Sequence, residues 1–405
     1  YTSNSGTPPP FNLPPTAGSA DAFIVKLGPA GNLLWSKAIG SNQPDAAMGV
    51  AVGPSGHVAI TGYHLASIPT LGLGHVGNSD AFVSLFDPNG AHIWSKNIAG
   101  SQNDEGTSVV ITNYQVVAFG SFTNQGSLTG VLSSLGLTLG RRYAYLNAFD
   151  LAGTNSWSLV GSSNSDILSE RIAADANTVY VIGFTEGNRF SWVNSSGITL
   201  SNVSIFNTNI GFVSAVSSTG TPLWSRLIDN PDDSDVEFNG IAAGCGGVYI
   251  TGRSHNSTVF PGGAVSTIPG VHDYFYLASL NPGTGSTQWV RTARSSTPHG
   301  MVGNDITIGR NQQIMVSGSM IGTVTTDGGS MIAGDDEPDL FIARFAPDGT
   351  AVWYDRSVND GDEYPLAIAA STPGRYVVGG KYETAILIGP MQKLNGKETK
   401  IYYAT

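Results

Sequence analysis

Short apolar runs of strand length recur along this chain, and none keeps the 3.6-residue period of an amphipathic helix. The clearest stretch is DAFVSLFDPNGAHIWS, residues 80–95. Phe82 and Leu85 sit in one run, Trp94 closes a second, and Asp87-Pro88-Asn89-Gly90 lies between them. Proline presets φ at the second turn position, and Asn-Gly tolerates the positive φ that closes a hairpin. The stretch therefore predicts strand, tight turn, strand. The same hairpin recurs around Phe23 and Trp35, Tyr145 and Trp157, Phe212 and Trp224, Phe275 and Trp289, and Phe341 and Trp353. Its tryptophans are 59, 63, 67, 65 and 64 residues apart. Copies at so even a spacing are an internal repeat.

Each full unit holds four predicted strands. In the first they are a over 49–52, b over 57–62, c over 80–86 and d over 92–97. Alternation within them is weak, which suits sheets covered on both faces. Four-stranded units joined by short turns predict an all-β fold, a six-bladed β-propeller of antiparallel blades. A solenoid is the structural alternative, but its repeats are usually shorter. Residues 1–20 read as a Pro-rich N-terminal segment, and 21–405 as a single domain. Its units run over about 33–91, 92–154, 155–221, 222–286, 287–350 and 351–405.

The a, b and d strands each occur six times, the c strand seven. Closing the ring with N- and C-terminal strands leaves one c strand over. Strand 21–27 is tied by a tight turn to its d strand, so that pair is expected to enter the closing blade together. Lys400, Ile401, Tyr402, Tyr403, Ala404 and Thr405 are then the surplus. An unpaired apolar strand is a liability. It can join its own blade as a fifth strand or add to another copy, and a non-closing contact of the second kind propagates. The plainer reading is a local fifth strand or a chain cut from a longer array.

The combination DAFVSLFDPNGAHIWSK … MGVAVGPSGHVAITGYH resembles the bacterial SBBP-type β-propeller repeat. That family pairs a D-x-F strand, a D-x-x-G turn, a W-[SA]-K strand, a G-x-A-V-D-x-x-G-N hairpin and a V-T-G-Y strand. The resemblance spans essentially the whole chain. It is worn over 142–149, which lacks the Asp, and at Ile401-Tyr402-Tyr403. It implies an extracellular or cell-surface propeller from a family with few assigned activities, and it brings no catalytic motif. The family's name suggests seven blades, where the strand count here implies six.

Composition narrows the partners. Net charge is −11 over 405 residues, and no Lys/Arg-rich run exists to meet nucleic-acid phosphates. No run of 18 apolar residues is present, so no spanning helix is expected. Cys245 is the single cysteine and reads as a small turn residue. Low charge with Ser, Thr, Asn and Gly richness suits a secreted protein. The sequence begins at Tyr1 without methionine, as a processed chain or a fragment would.

Long insertions fall between b and c strands, where function or assembly surfaces usually lie. Phe190, Trp192 and Phe260 in these loops are candidate stacking residues for a glycan, against the plainer expectation that each loop folds over its own blade. An acid recurs in the d–a loops (Asp45, Asp104, Asp166, Asp235, Asp305 less regularly, and Asp362), facing a channel mouth or capping a turn. Asp233, Asp235 and Glu237 are candidate Ca²⁺ ligands, although Gly246 stands where a calcium loop needs glutamate. No other cofactor is expected. Asn194, Asn202 and Asn256 match the N-glycosylation pattern. No GxSxG, HExxH or P-loop motif occurs, and no GxGxxG opens a helix. The preferred expectation is a non-enzymatic, self-assembling structural protein whose partners are its own copies. A carbohydrate-binding or adhesin module is second, and a propeller hydrolase or lyase third.

Overall fold

Strands occupy the apolar runs. The computed structural model describes residues 17–18, 20–28, 32–98, 100–123, 137–194, 197–204, 210–229, 236–244, 246–255, 257–267, 273–297, 300–326, 329–332, 337–357, 362–370, 376–382, 385–386, 394–395 and 400–404. The chain is all-β, with no α-helix among the described residues.

Strands β1 (Ala22–Leu27) and β2 (Leu33–Ile39) form a hairpin. Strands β3 (Asp45–Val52), β4 (Val58–His64), β5 (Asp80–Phe86) and β6 (His92–Ile98) form a sheet in that order, the a-b-c-d meander of a blade. Strands β7 (Asp104–Ile111), β8 (Gln115–Thr123), β9 (Arg142–Asp150) and β10 (Asn155–Ser162) repeat it. Next come β11 (Ile167–Ala174) and β12 (Thr178–Thr185), an inserted hairpin of β13 (Arg189–Asn194) and β14 (Gly197–Val203), then β15 (Ile210–Ser217) and β16 (Pro222–Ile228). The sheet order here is β11-β12-β15-β16.

Strands β17 (Val236–Gly244) and β18 (Gly247–His255) precede a second inserted hairpin, β19 (Ser257–Phe260) and β20 (Ala264–Thr267). Strands β21 (Asp273–Leu280) and β22 (Thr287–Ser295) complete that sheet. Strands β23 (Met301–Ile308) and β24 (Ile314–Met320) precede the inserted β25 (Thr323–Thr326) and β26 (Gly329–Ile332), and β27 (Asp339–Phe345) and β28 (Ala351–Arg356) finish the fifth sheet. The last group is β29 (Glu363–Ala370), β30 (Tyr376–Tyr382), the short pair β31 (Ala385–Ile386) and β32 (Leu394–Asn395), and β33 (Lys400–Ala404). The β1–β2 hairpin and the pairings β3 to β6, β7 to β10, β17-β18-β21-β22 and β23-β24-β27-β28 are antiparallel.

The first c and d strands lie where the pattern predicts them. The first a strand begins earlier, at Asp45, because a register shift between Ala47 and Gly49 breaks the alternation that would mark it. The same shift recurs in β7, β17, β23 and β29. Such bulges bend a strand and sharpen its twist.

The chain divides into two compact units. One comprises Tyr1–Val179, Phe190–Ser201 and Val216–Pro222, the other Tyr180–Arg189, Asn202–Ala215 and Leu223–Thr405. The β11-β12-β15-β16 sheet supplies residues to both. In the first unit a core of Leu85, Trp94, Val109, Val116, Tyr145 and Val160 fills the space between consecutive sheets. In the second, Tyr249, Phe275, Ile306, Val316 and Phe341 do so. Each such side chain contributes about 1.5–3 kcal/mol by burial.

One contact repeats at five joints between consecutive sheets. The indole Nε1 of the d-strand tryptophan there donates to a carbonyl in the c–d turn of the following sheet. Trp35 reaches Pro88 O at 3.2 Å, and Trp94 reaches Leu151 O at 3.1 Å. Trp157 reaches Ser218 O at 2.9 Å, Trp224 reaches Pro282 O at 2.7 Å, and Trp289 reaches Pro347 O at 3.1 Å. The same indole lies flat against the turn's glycine. A Cβ on Gly90, Gly153, Gly220, Gly285 or Gly349 would sit 2.5–2.9 Å from the ring, and all five have φ between +70° and +84°. Glycine is thus required there twice, for its φ and for the space its missing side chain leaves.

This predicts the cost of filling one joint. Gly153→Ala places a methyl against Trp94 at φ +84°, whereas Gly72→Ala at φ +68° meets nothing within 4 Å. Both incur about 1–2 kcal/mol of left-handed backbone strain. Urea unfolding is expected to show Gly153→Ala costing at least about 1 kcal/mol more, from overpacking. Equal losses would mean that the indole contact is not under steric constraint.

Candidate functional site

Three of the long insertions form hairpins that reach the preceding sheet, and they do not present the aromatic faces proposed for a glycan. The plainer expectation, that each loop folds over its own blade, is met in part: Phe260 packs on Tyr276 of its own sheet, and the 65–79 loop is tied to its own β6 through Asn97. Strand β13 pairs with β10, with Gly161 opposite Trp192, and so adds to that sheet's d edge. Strand β25 pairs with β22 in the same way. Val259 of β19 exchanges two backbone hydrogen bonds with Asp229, just past β16. Each hairpin covers an edge that would otherwise be open.

This explains where the candidate stacking residues lie. Phe190 and Trp192 are fully buried, 5.1 Å apart edge to face, with Phe190 over Gly161. Phe260 is buried against Tyr276, ring centroids 5.4 Å apart. The glycan-stacking assignment for these three is therefore corrected: their apolar faces are consumed by latching the hairpins.

Of the calcium candidates, Asp233 and Asp235 lie outside the described residues. Glu237 is half exposed, and its Oε1 accepts from the Arg253 guanidinium. Of the glycosylation candidates, Asn256 lies outside the described residues and Asn194 is half-buried at the end of β13. The amide nitrogen of Asn202, the atom a glycan would take, donates to Ser225 O at 2.8 Å. Cys245 also lies outside the described residues.

Two of the recurrent acids, Asp45 and Asp104, act as loop clamps, in line with the turn-capping alternative. Asp45 accepts from the Ser41 N–H and at 3.2 Å from the Leu65 N–H. Asp104 accepts from the Gly100 and Thr123 N–H groups in the same arrangement. One oxygen closes the loop before the a strand, and the other holds the end of the b strand. Asp80, at the start of β5, closes its own loop by accepting from the Val76 N–H at 2.6 Å. Where the motif lacks its Asp, the Arg142 N–H donates to Asp166 and its guanidinium to Glu105 and Ser121. Burial pushes the Asp104 carboxyl up to about 7, against its two N–H donors and Arg142.

The open edges lie elsewhere. Strand β33 pairs with β30 in the c position, Val378 opposite Tyr402, and is the outer strand of a three-stranded sheet β29-β30-β33. The expectation that 400–405 has no place in its own sheet is corrected for Lys400–Ala404; Thr405 lies outside the described residues. The b-to-c step that every full sheet uses simply recurs here. Among the described residues no d strand follows β33, and β1 and β2 pair only with each other. Apolar surface is bare on two a strands. In one unit β3 exposes Met48, Val50 and Val52; in the other β29 exposes Tyr364 and Leu366. Trp353 is 37% exposed, against 7% for Trp94 and 4% for Trp224. It has no turn against its indole among the described residues. The sequence could not mark these edges, because their residues match the covered copies.

No family model matches the chain. The regulatory protein FlaEY of Caulobacter vibrioides (strain ATCC 19089 / CIP 103742 / CB 15) is 24% identical over 388 residues, 90% of this chain and 39% of that protein. The chain thus spans about two fifths of the length of this curated relative. Among solved structures, the Myceliophteria thermophila Cps50 (Swd1) β-propeller domain is similar at a TM-score of 0.44 and 9% identity, over 90% of this chain and 88% of that one. Quinohemoprotein alcohol dehydrogenase from Comamonas testosteroni is similar at 0.42 and 10%, over 95% and 72%. The WD40 β-propeller domain of Doa1 is similar at 0.39 and 8%, over 88% and 83%. At these scores the likeness is loose and carries no argument.

Two outcomes are expected. Trp192→Ala should lower stability by about 3–5 kcal/mol in urea unfolding, as for a fully buried aromatic; a loss below about 1 kcal/mol would place the ring outside the core. Asp104 holds its proton more tightly folded than unfolded, where its value is the ordinary 3.8. Its stabilising contribution is full below that value and is lost as pH rises through about 7. The melting temperature of the wild type relative to Asp104→Asn should therefore fall between pH 4 and 8. A constant difference would show that the carboxyl ionises normally.

Proposed function

We propose that this chain is a secreted or cell-surface β-propeller scaffold of six blades. Its role is structural: it joins copies of itself by edge addition into a filament or surface layer. The β1–β2 hairpin of one copy adds to the β33 edge of the β29-β30-β33 sheet of the next copy, which has a, b and c strands and no d strand among the described residues.

The observation that carries this reading is the unfilled joint at Trp353. Five tryptophans, Trp35, Trp94, Trp157, Trp224 and Trp289, each hold the c–d turn of a following sheet. Trp353 stands at the same place in β28 and is exposed. A c–d hairpin is the shape this position is built to receive, and β1–β2 is a c–d hairpin with no a or b strand beside it among the described residues. Strand addition of this kind gains main-chain hydrogen bonds and buries apolar surface together. The contact is head-to-tail, so it propagates unless it closes. Low charge and the repeat resemblance support an extracellular setting.

Light scattering and negative-stain electron microscopy test the reading. The wild type is expected to form chains of discs that grow with concentration. Trp353→Asp, checked for an unchanged circular dichroism spectrum, is expected to stay as single discs. A single copy at every concentration in the wild type would overturn self-assembly, whatever the state of the variant.

A further inference from the structure

The b–c loop of the first full sheet brings together chemistry that no other part of the described chain repeats. His64 ends β4 and Asp80 starts β5, and the two face each other in register. The loop between them turns through a short 3₁₀ segment at Pro69–Leu71 and carries His75 back over the pair. One ring nitrogen of each histidine and a carboxylate oxygen of Asp80 all lie within 4.8 Å of one another. His64 and Asp80 are fully buried, while the His75 side chain is 22% exposed and leaves a way in from solvent.

The hydrogen bonds leave this cluster short of a positive centre. His64 Nδ1 lies 2.8 Å from Ala66 O. A carbonyl only accepts, so Nδ1 carries the ring proton, and Nε2 of the neutral ring presents a lone pair. That nitrogen faces Asn97 Oδ1 at 3.0 Å. The Asn97 amide is held this way round because its Nδ2 donates to Gly74 O. Two lone pairs therefore point at each other. Asp80 Oδ2 accepts from Val76 and lies 3.2 Å from His75 Nδ1, and Asp80 Oδ1 is buried without a hydrogen-bond partner.

We propose that His64, His75 and Asp80, with Asn97 as fourth ligand, form a structural site for a divalent transition-metal ion of the zinc class. Zinc bonds of about 2.0–2.2 Å in a tetrahedral shell set ligand atoms about 3.3 Å apart. The 3.0 Å and 3.2 Å separations already approach that edge length. Two imidazoles with a carboxylate favour zinc-class ions over Ca²⁺ or Mg²⁺, which take oxygen shells. The Ala66 carbonyl fixes the His64 tautomer, as outer partners do for metal-bound histidine. The bound ion closes the 65–79 loop onto the edge of β6 through Asn97.

Co²⁺ and Zn²⁺ alone, added to EDTA-treated full chain, test the site. The wild type is expected to bind one equivalent more than His75→Ala, with a visible Co²⁺ absorption typical of four-coordinate N/O ligation. Zn²⁺ should raise its melting temperature, and His75→Ala should weaken this response by at least about tenfold in Zn²⁺ concentration. His75 is partly exposed, so this variant is expected to fold; His75→Gln serves as a second variant if it does not. Other histidines and Cys245 contribute equally to wild type and variant. Equal binding, or no Co²⁺ absorption, would overturn the site and leave His64 as a doubly protonated ring donating to Ala66 and Asn97.

Discussion

The indole that locks into the next sheet's turn is the contact on which the rest of the repeat depends. A sheet of four strands covers one of its faces only when another sheet lies against it. The tryptophan sets the spacing, because its ring fills the place of the turn glycine's missing side chain. Its Nε1 sets the angle, because the hydrogen bond to the second turn residue is directional. Each bond is worth only about 0.5–1.5 kcal/mol net. Repeated through Trp35, Trp94, Trp157, Trp224 and Trp289, it fixes one geometry at successive joints. The apolar contacts around Leu85, Tyr145, Phe275 and Phe341 then follow from that geometry.

The carboxylates do the corresponding work for the loops. A buried backbone N–H needs an acceptor. In a chain where only 12% of residues are charged, the few acids are placed where two strands and a loop converge. Asp45 and Asp104 each bind two such groups, joining the loop before the a strand to the end of the b strand at the same end of the pair. At the start of the c strand Arg142 stands where Asp80 does in the first full sheet: its backbone N–H donates to Asp166, and its side chain donates to Glu105.

Much of this was legible in the residues. The hairpins could be read because Asn-Gly and Pro-Asp-Gly turns have a local cause, and the tryptophan spacing exposed the repeat. The destination of the b–c insertions could not be read. Phe190 and Trp192 look like surface aromatics in a loop, because the strand that buries them, β10, lies a whole sheet earlier in the chain. The placement of β33 was missed for a related reason: a surplus in a count of strands does not say which copy yields its place. His64, His75 and Asp80 were visible as residue types but fell under other readings. Asp80 belonged to the strand motif, and the two histidines are eleven residues apart across a loop with no metal-ligand spacing.

The latched hairpins have a consequence for the order of events during synthesis. The edge of β10, complete at Ser162, is covered by residues that end at Asn194, and the edge of β22, complete at Ser295, by residues that end at Thr326. A sheet leaving the ribosome therefore stands with a bare edge until roughly one more loop has been translated. At about 5–20 residues per second that interval lasts a few seconds. The later repeat in effect chaperones the one before it at these two edges. A pause placed between β10 and β13 would prolong the time in which an open edge can meet the wrong strand.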